Sequence, residues 1–456
     1  MGDSKAYDLV IFGATGFTGQ FVVDEVARVA EEEGGLKWAV AGRTMAKLQK
    51  VLEQSSQRTV NGDGIDLVWH WRRSCRDRDI YALAPGKTSC ITVSLTLLYR
   101  KNLEEIPIII ADVSNYQSLL DMSQQAKVVL NCVGPYRFHG EDVVKACIEG
   151  GANHFLEKMQ LMYNAKAKEN SLYIVGACGF DSIPADLGIL YTRNNFKGDL
   201  NSVEGYLNLS HGPDGLAGNF ATFESAVYGF AHADELKSLR KALFPNPLPR
   251  MAHRAPQRPV IGYNEDVGKW CLPFPGSDRS VVQRTQRYNY DNKQKRPVQF
   301  VPYFCRSSRF AAYAMAFFAV IFGIMARFSF TRALLLKFPS FFTAGTFKRG
   351  GPTMKQIKES GFSWTFFASG YSQTLDDPEA QHEEAPDKKM VTKVSGPEPG
   401  YVTTPICMVQ AAVVLVKERD RLPKDGGVYT PAVAFGDTSL VERLDKHNVR
   451  FQIVEQ

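Results

Sequence analysis

The sequence predicts an α/β protein in which a Rossmann-type, doubly wound parallel sheet is joined to a second α+β domain with a membrane-associating apolar helix. Three observations support this fold class. A glycine-rich turn separates an apolar strand from a helix near the N-terminus, apolar strands alternate with helical patterns over the first 195 residues, and a long uncharged run begins at Phe310. The predicted domains are 1–195, 196–430 and a C-terminal strand and helix at 431–456.

The first strand and its turn predict a dinucleotide site. Tyr7–Phe12 is a buried-strand pattern, and the next seven residues place glycines at 13, 16 and 19 before a helix begins. Glycines at such a turn let backbone N–H groups approach a pyrophosphate, and the helix N-terminus favours negative charge. The alternative is a tight strand–helix turn that binds nothing. The cofactor-binding candidates here are Gly13, Ala14, Thr15, Gly16, Phe17, Thr18 and Gly19.

The end of the second strand predicts the choice of cofactor. Lys37–Ala41 is followed by Gly42 and Arg43, where an NAD site usually has Asp or Glu. A guanidinium suits the 2′-phosphate of NADP(H), so NADP is predicted and NAD is less favoured. The alternative for Arg43 is a solvated residue at a strand end.

A region without periodicity interrupts this domain. A helical pattern covers 44–57, but residues 62–103 show neither helical nor strand spacing. An irregular insert of this length is unusual inside a compact domain. Either it is a functional lid, or it is a disordered or aberrant segment.

Three further strand–turn units complete the domain. Pro107–Val113 contains Asp112, which we expect close to the adenine, and Lys127–Val133 leads into Gly134, Pro135 and Tyr136. A third strand at 171–178 precedes Asp181 and Ser182. Gly134 and Pro135 are further cofactor candidates, and Tyr136, Asp181 and Ser182 are the catalytic candidates. The alternative for Asp181 is a cap on the helix that Pro184 begins.

Four blocks of sequence occur in the order that is typical of one family: Gly13–Gly19, Ala41–Arg43, Leu130–Tyr136 and Gly179–Asp186. Together they resemble the saccharopine dehydrogenase-like oxidoreductases of animals, and the bacterial trans-acting enoyl reductases of glycolipid synthesis share the pattern. The resemblance covers 7–57 and 106–456, and it implies a Rossmann fold and a nicotinamide cofactor.

Two departures from the family pattern bear on catalysis. The insert has no counterpart in it, and the family's strand with a Tyr/Ile-x-Asp-x-Ser/Thr-Gly-Glu signature is missing after Gly151–His154. If those acidic residues shape the nicotinamide end of the site, the activity of this chain is in question.

The second domain begins near Leu200. Val203–Leu209 alternates as a half-exposed strand does, and strand-like pieces are predicted up to Ser280–Arg287. Sheet and helix patterns return between Phe366 and Val416.

The run Phe310–Ala326 contains no charged residue, and apolar residues continue to Phe342. As a helix it would extend roughly 25 Å, slightly less than the ~30 Å hydrocarbon core of a bilayer. Either it is a buried core helix, or it inserts into a membrane. Basic residues flank it, which favours anionic headgroups and a one-leaflet or lipid-droplet anchor: Arg306, Arg309, Arg327, Arg332, Lys337, Lys348 and Arg349.

Composition narrows the function further. The net charge of +6 is spread over the chain without a basic tail, so nucleic-acid binding is not expected. The 8 cysteines show no metal-type spacing and predict reduced, cytosol-facing thiols, and no metal is expected.

Together these features predict an NADP-dependent oxidoreductase acting on a lipid-like or amino-acid-derived substrate. Its predicted partner is a membrane or lipid-droplet surface facing the cytosol, with the mitochondrion as the alternative location. Homo-oligomerisation stays open. The alternative function is a catalytically silent nucleotide-binding scaffold on lipid droplets.

Overall fold

The computed structural model describes residues 5–60, 102–153 and 157–455. Nearly all of the predicted irregular insert, 62–103, lies outside these ranges. Its last two residues, Asn102 and Leu103, belong to a short 3₁₀ segment in which the Asn102 side chain accepts a hydrogen bond from the Glu104 N–H.

The nucleotide-binding half alternates strands and helices in the predicted order. Its strands are β1 (Tyr7–Phe12), β2 (Trp38–Gly42), β3 (Ile108–Ile110), β4 (Ala126–Asn131) and β5 (Tyr173–Val175). Its helices are α1 (Phe17–Glu32), α2 (Met45–Val60), α3 (Tyr116–Gln125), α4 (Tyr136–Gly150), α5 (Glu157–Glu169) and α6 (Ile183–Asn195).

The first four strands form a parallel sheet in the order β3-β2-β1-β4. β1 pairs on one side with β2 and on the other with β4, so that Phe12 lies beside both Ala41 and Asn131. Leu9 and Ile11 pack with α1 and α2 on one face, whereas Val10 and Phe12 pack with α3 and α4 on the other. Both faces are covered by helices, which confirms the doubly wound arrangement.

The rest of the described chain supplies the following elements. The strands are β6 (Asp199–Ser210), β7 (Gly218–Asn219), β8 (Gly262–Asn264), β9 (Lys269–Pro273), β10 (Gln299–Arg306), β11 (Phe347–Lys348), β12 (Gly361–Tyr371), β13 (Lys388–Pro397), β14 (Gly427–Tyr429) and β15 (Arg450–Glu455). The helices are α7 (Phe220–Ala231), α8 (Ala233–Leu243), α9 (Asp278–Lys293), α10 (Arg309–Arg327), α11 (Ser329–Lys337), α12 (Pro339–Phe342), α13 (Met354–Lys358), α14 (Thr404–Lys417), α15 (Pro431–Phe435) and α16 (Leu440–Lys446).

A seven-stranded sheet in the order β15-β13-β12-β6-β10-β9-β8 is the framework of the second domain. Its central strand β6 is buried on both faces from Leu200 to Leu207. The prediction of a half-exposed strand at Val203–Leu209 was therefore wrong. The alternation of residue types was misleading because Glu204, on one face, is buried in an ion pair with Arg258.

The stretch Ser280–Arg287 is helical and not strand-like as predicted. It lies within α9, where the polar residues Arg284, Thr285 and Gln286 are almost completely buried. Buried polar side chains obscure a helical apolar pattern, because the helix presents hydrogen-bonding groups to its neighbours instead of a hydrophobic stripe.

After β13 the chain returns to the nucleotide-binding half. Helix α14 places Val409, Ala412 and Val413 in the same core cluster as α1, α2 and the parallel sheet. β14 then pairs with β5 in a separate parallel two-stranded sheet. On the α1 side, Glu33 forms ion pairs with Lys417 and Arg443, which hold its pKa near 2. The two halves are thus joined by core packing and by charge.

The predicted apolar run forms three helices on the surface of the second domain. With α7 they make what we call the apolar lobe (α7 and α10–α12), whose small core contains Phe223, Val227, Ala326 and Leu335. α10 packs against this core by one side only. Its outer side exposes large apolar residues, among them Phe310 at 83%, Phe317 at 62% and Phe318 at 60%.

Candidate functional site

The glycine-rich turn has the geometry of a phosphate-binding turn. Gly13 has a φ of +83°, and a Cβ there would lie 2.6 Å from the Val133 side chain. A Cβ at Gly19 would lie 2.2 Å from the Gly13 carbonyl oxygen, so only glycine lets α1 approach the turn this closely. Ala14 is completely buried between them.

Gly16 is the N-cap of α1, and among the described residues no side chain caps this helix end. The first N–H groups of a helix have no partners within the helix, and they favour an anionic ligand. Thr15 and Thr18 flank Gly16 and are partly exposed. The turn therefore fits a pyrophosphate, which would be bound by backbone N–H groups.

Phe17 has a second role that the sequence did not indicate. Its ring packs edge-on against Tyr401 at 4.7 Å between centroids. A Cβ at Gly351 would lie 2.4 Å from the same ring. The Phe17 side chain thus connects the turn to the second domain, which leaves the backbone as the part of Phe17 that faces a cofactor in the predicted site.

Arg43 and Asp112 follow neighbouring strands at the same edge of the sheet. β2 pairs with β3 so that Gly42 lies beside Ile110, and the positive charge of Arg43 contributes to a lowered pKa of Asp112. Hydrogen bonding from Ser114 is the larger cause of that lowered pKa, because the carboxylate accepts the Ser114 N–H at 2.9 Å. Arg43 itself is exposed. An exposed guanidinium at this edge is available for a 2′-phosphate.

The turn after β4 lies beside the glycine-rich turn. A Cβ at Gly134 would meet no atom of the described residues within 4 Å, so this turn is open on one side, and Pro135 is the N-cap of α4. The Tyr136 hydroxyl donates to the Asn131 carbonyl oxygen at 2.9 Å, and burial raises its pKa. This hydroxyl holds the turn in place, which favours a structural role for it over a catalytic one.

Tyr136, Asp181 and Ser182 line one cavity of about 300 Å³. Ser182 is fully buried, and its hydroxyl donates to the Asp181 carbonyl oxygen at 2.7 Å. Asp181 also lines the cavity and is partly open to solvent, and the protein atoms around its carboxyl group raise its pKa by desolvation. Neither side chain caps α6, although a capping role for Asp181 was the alternative.

Two residues of this region were missed in the sequence. Asn131 lines the cavity at the end of β4 and is only 5% exposed. Asp278 is 1% exposed, and its pKa is raised well above the usual value by burial and by the charges of Asp181 and Asp186. A signal for Asn131 was present, because a polar residue ends an otherwise apolar strand at the ligand-binding edge of the sheet. The described residues contain no cluster of His, Cys, Asp or Glu suited to a metal ion.

The fold and this site define a class of protein: a nicotinamide-dependent oxidoreductase with a Rossmann-type domain. No family model matches the chain. A human saccharopine dehydrogenase-like oxidoreductase is 42% identical over 99% of this chain and 98% of its own length. A Caenorhabditis elegans relative, named lipid droplet localized protein, is 36% identical over 98% of each chain. The chain therefore belongs to the saccharopine dehydrogenase-like oxidoreductase family.

More distant similarities agree with this assignment. The structure of saccharopine dehydrogenase (L-Glu forming) from Saccharomyces cerevisiae matches 98% of this chain with a TM-score of 0.51 at 12% identity, which supports the fold. An Arabidopsis thaliana relative with a mitochondrial name is 34% identical over 99% of this chain and 97% of its own length. A Mycobacterium tuberculosis relative named as a trans-acting enoyl reductase is 24% identical over 98% of this chain and 97% of its own length. The predicted family resemblance is confirmed.

Proposed function

We propose that the protein is an NADP(H)-dependent oxidoreductase that transfers a hydride to or from a lipid-like or amino-acid-derived substrate at a membrane or lipid-droplet surface. One observation carries this proposal. The turns after β1 and β4 lie side by side, because Phe12 is paired with Asn131, and the cavity opens next to the second turn. In a doubly wound sheet the ligand lies outside the carboxyl ends of such strands.

The residues present fit a dinucleotide. The backbone of the glycine-rich turn would bind the pyrophosphate, and Arg43 would bind the 2′-phosphate. Gly134 and Pro135 would border the nicotinamide, which supplies or accepts the hydride when it is bound. The protein would contribute orientation and the exclusion of water, and Asp181, which lines the cavity, would be placed to exchange a proton with the substrate.

The apolar lobe supports the location. Among the described residues two helices are long and apolar enough to cross a membrane, Arg309–Arg327 and Pro399–Lys417. In the most apolar stretch of Pro399–Lys417, 67% of the residues are buried, so this is a core helix. In the corresponding stretch of Arg309–Arg327 only 11% are buried. The name of the C. elegans relative favours a lipid droplet, and that of the Arabidopsis relative favours a mitochondrion as the alternative.

The rival function is a catalytically silent nucleotide-binding scaffold on lipid droplets. It is favoured by the missing acidic strand signature after Asn153. The two functions predict different results with deuterated NADPH and long-chain aldehyde, ketone and 2-enoyl ester presented in phosphatidylcholine vesicles. An enzyme transfers deuterium to one of these lipids. Tight NADPH binding without transfer to any of them would favour the scaffold.

The choice of cofactor is tested at Arg43. Replacing it by alanine should weaken NADPH binding by about 1.5–3 kcal/mol, the contribution of a charge-assisted hydrogen bond. NADH lacks the 2′-phosphate, so its affinity should stay unchanged. Calorimetric titration of both cofactors measures the difference, and Arg43→Lys is the matched control that keeps the charge. Equal losses for NADPH and NADH would show that Arg43 is structural.

A further inference from the structure

The parallel sheet is interrupted next to β4. Asn153 forms a single bridge to Val128. Within the described ranges, β4 is otherwise the edge strand of the sheet, and no strand of two or more residues pairs with it on this side. β5 pairs with β14 instead. The cavity of about 300 Å³ has walls on both sides of this interruption, since it is lined by β4 and by Val175 at the end of β5.

The inner wall of the cavity is apolar. It is lined by Val128 and Leu130 of β4 and by apolar residues of α14, which belong to or pack against the same core cluster: Met408, Ala412 and Leu415. The two alanines at 411 and 412 leave room that larger side chains would fill. The cavity volume is at the lower end of the range for small-molecule pockets. Those pockets, like this cavity, are lined mainly by apolar residues. An aliphatic chain would be stabilised there because each CH₂ that enters the cavity is removed from water.

The polar end of the cavity contains a buried donor. The Asn131 Oδ1 accepts the Val133 N–H at 2.9 Å, whereas its Nδ2 has no hydrogen-bonding partner among the described residues. A buried donor without a partner is destabilising, and a ligand oxygen that accepts its hydrogen bond would remove this cost. The Oδ1 bond assigns the amide orientation, so that Nδ2 is the buried, unpaired donor of the residue that lines this end of the cavity.

Helix α4 connects a wall of the cavity to the apolar lobe. Tyr136 lines the cavity, and two residues further on Phe138 packs edge-on against Tyr228 of α7 at 4.9 Å between centroids. The guanidinium of Arg332 in α11 lies over the same Tyr228 ring, 5.9 Å from its centroid. A lipid held by the lobe would therefore lie near the part of α4 that borders the cavity.

We propose that this cavity binds the aliphatic chain of a single-chain lipid between β4 and α14, with a carbonyl or carboxyl oxygen of the lipid accepting a hydrogen bond from the Asn131 Nδ2. This lipid-binding proposal rests on the proposed oxidoreductase function only where it identifies the cavity as the substrate site. The binding site itself stands on the cavity and on the unpaired amide. With the cavity as the substrate site, the substrates belong to the class of acyl or alkyl-carbonyl lipids.

The test uses the full chain and parinaric acid, a fluorescent fatty acid with both required groups. Met408→Trp should weaken its binding at least tenfold because the indole fills the cavity. Met408→Leu, which conserves volume, should retain the affinity. Asn131→Asp keeps the acceptor for the Val133 N–H but removes the donor, so it should also weaken binding at least tenfold. A Phe317→Ser, Phe318→Ser variant controls for probe bound to the apolar lobe and should keep one saturable site.

Each result supports or overturns the site. Unchanged parinaric acid affinity in a folded Met408→Trp variant would overturn it. If that variant does not fold, Leu415→Trp on the same wall replaces it, with the same criterion. NADPH titration of the same variants separates the two proposals. Loss of probe binding with intact NADPH binding supports the cavity, and an unmodified protein that binds the probe but not NADPH refutes only the proposed function.

Discussion

Replacing Gly16 by valine should abolish NADPH binding and leave a folded protein. Gly16 begins α1 at the point where backbone N–H groups would meet the pyrophosphate, and a branched side chain there would occupy the space of the phosphates. Two or more charge-assisted hydrogen bonds of about 1.5–3 kcal/mol each would be lost. Because 1.4 kcal/mol is a factor of ten, the affinity should fall by more than about 100-fold.

The structure also indicates what the substitution costs in stability. A Cβ at Gly16 would lie 3.1 Å from the Gly13 carbonyl oxygen, a close contact that the turn must relieve by a small shift. Gly229→Val is the matched control, because a Cβ at Gly229 meets no atom of the described residues within 4 Å. Calorimetric titration and thermal melts of both variants are compared. NADPH affinity that survives Gly16→Val would remove the cofactor from this turn.

The nucleotide-binding half was predictable because its signals are local. The steric requirements of the first turn lie within seven residues and are met by Gly13, Gly16 and Gly19. Each strand of the parallel sheet is a short apolar run that stands out between polar turns. The structure shows the same requirement in the 2.2 Å approach of a Cβ at Gly19 to the Gly13 carbonyl oxygen. The order of the strands then follows from the common doubly wound topology.

Other parts depend on contacts between distant residues. Asp186 accepts a hydrogen bond from Thr285, 99 positions away, at 2.9 Å, and Phe17 packs against Tyr401. Buried polar pairs of this kind explain why α9 did not show a helical apolar pattern. The unpaired amide of Asn131 is likewise visible only when the cavity around it is known.

The apolar run was ambiguous for an energetic reason. Burying its side chains in a protein core or in acyl chains yields similar free energies per unit area, so composition cannot separate the two. The structure separates them by position: Ala312 and Ala326 face the protein, whereas Phe310, Phe317 and Phe330 are 83%, 62% and 74% exposed. An exposed apolar surface of this kind marks an interaction site on a folded protein.

The membrane interaction should be lost when the outer face of the apolar lobe is made polar. Replacing Phe310, Phe317 and Phe330 by serine removes three rings that would each contribute roughly 1.5–3 kcal/mol on insertion into acyl chains. Vesicle affinity should therefore fall more than about 100-fold in flotation assays with phosphatidylcholine–phosphatidylserine vesicles or with triacylglycerol droplets. The small core of the lobe is untouched, so the melting temperature and NADPH affinity should not change.

The design distinguishes a specific anchor from general stickiness. Val260→Ser with Val454→Ser removes two exposed apolar residues outside the lobe, at 72% and 59% exposure, and should leave flotation unchanged. Salt gives a second criterion. Arg309, Arg327 and Lys337 flank α10 and α11, so binding to anionic vesicles should weaken as salt is raised, whereas binding to neutral droplets should not. If the triple serine variant still floats with both vesicles and droplets, another surface of the chain contacts the membrane. The three substitutions remove roughly 4 kcal/mol or more of insertion free energy, the contribution of about three phenylalanine rings. The rings that remain in the lobe would have to replace that loss.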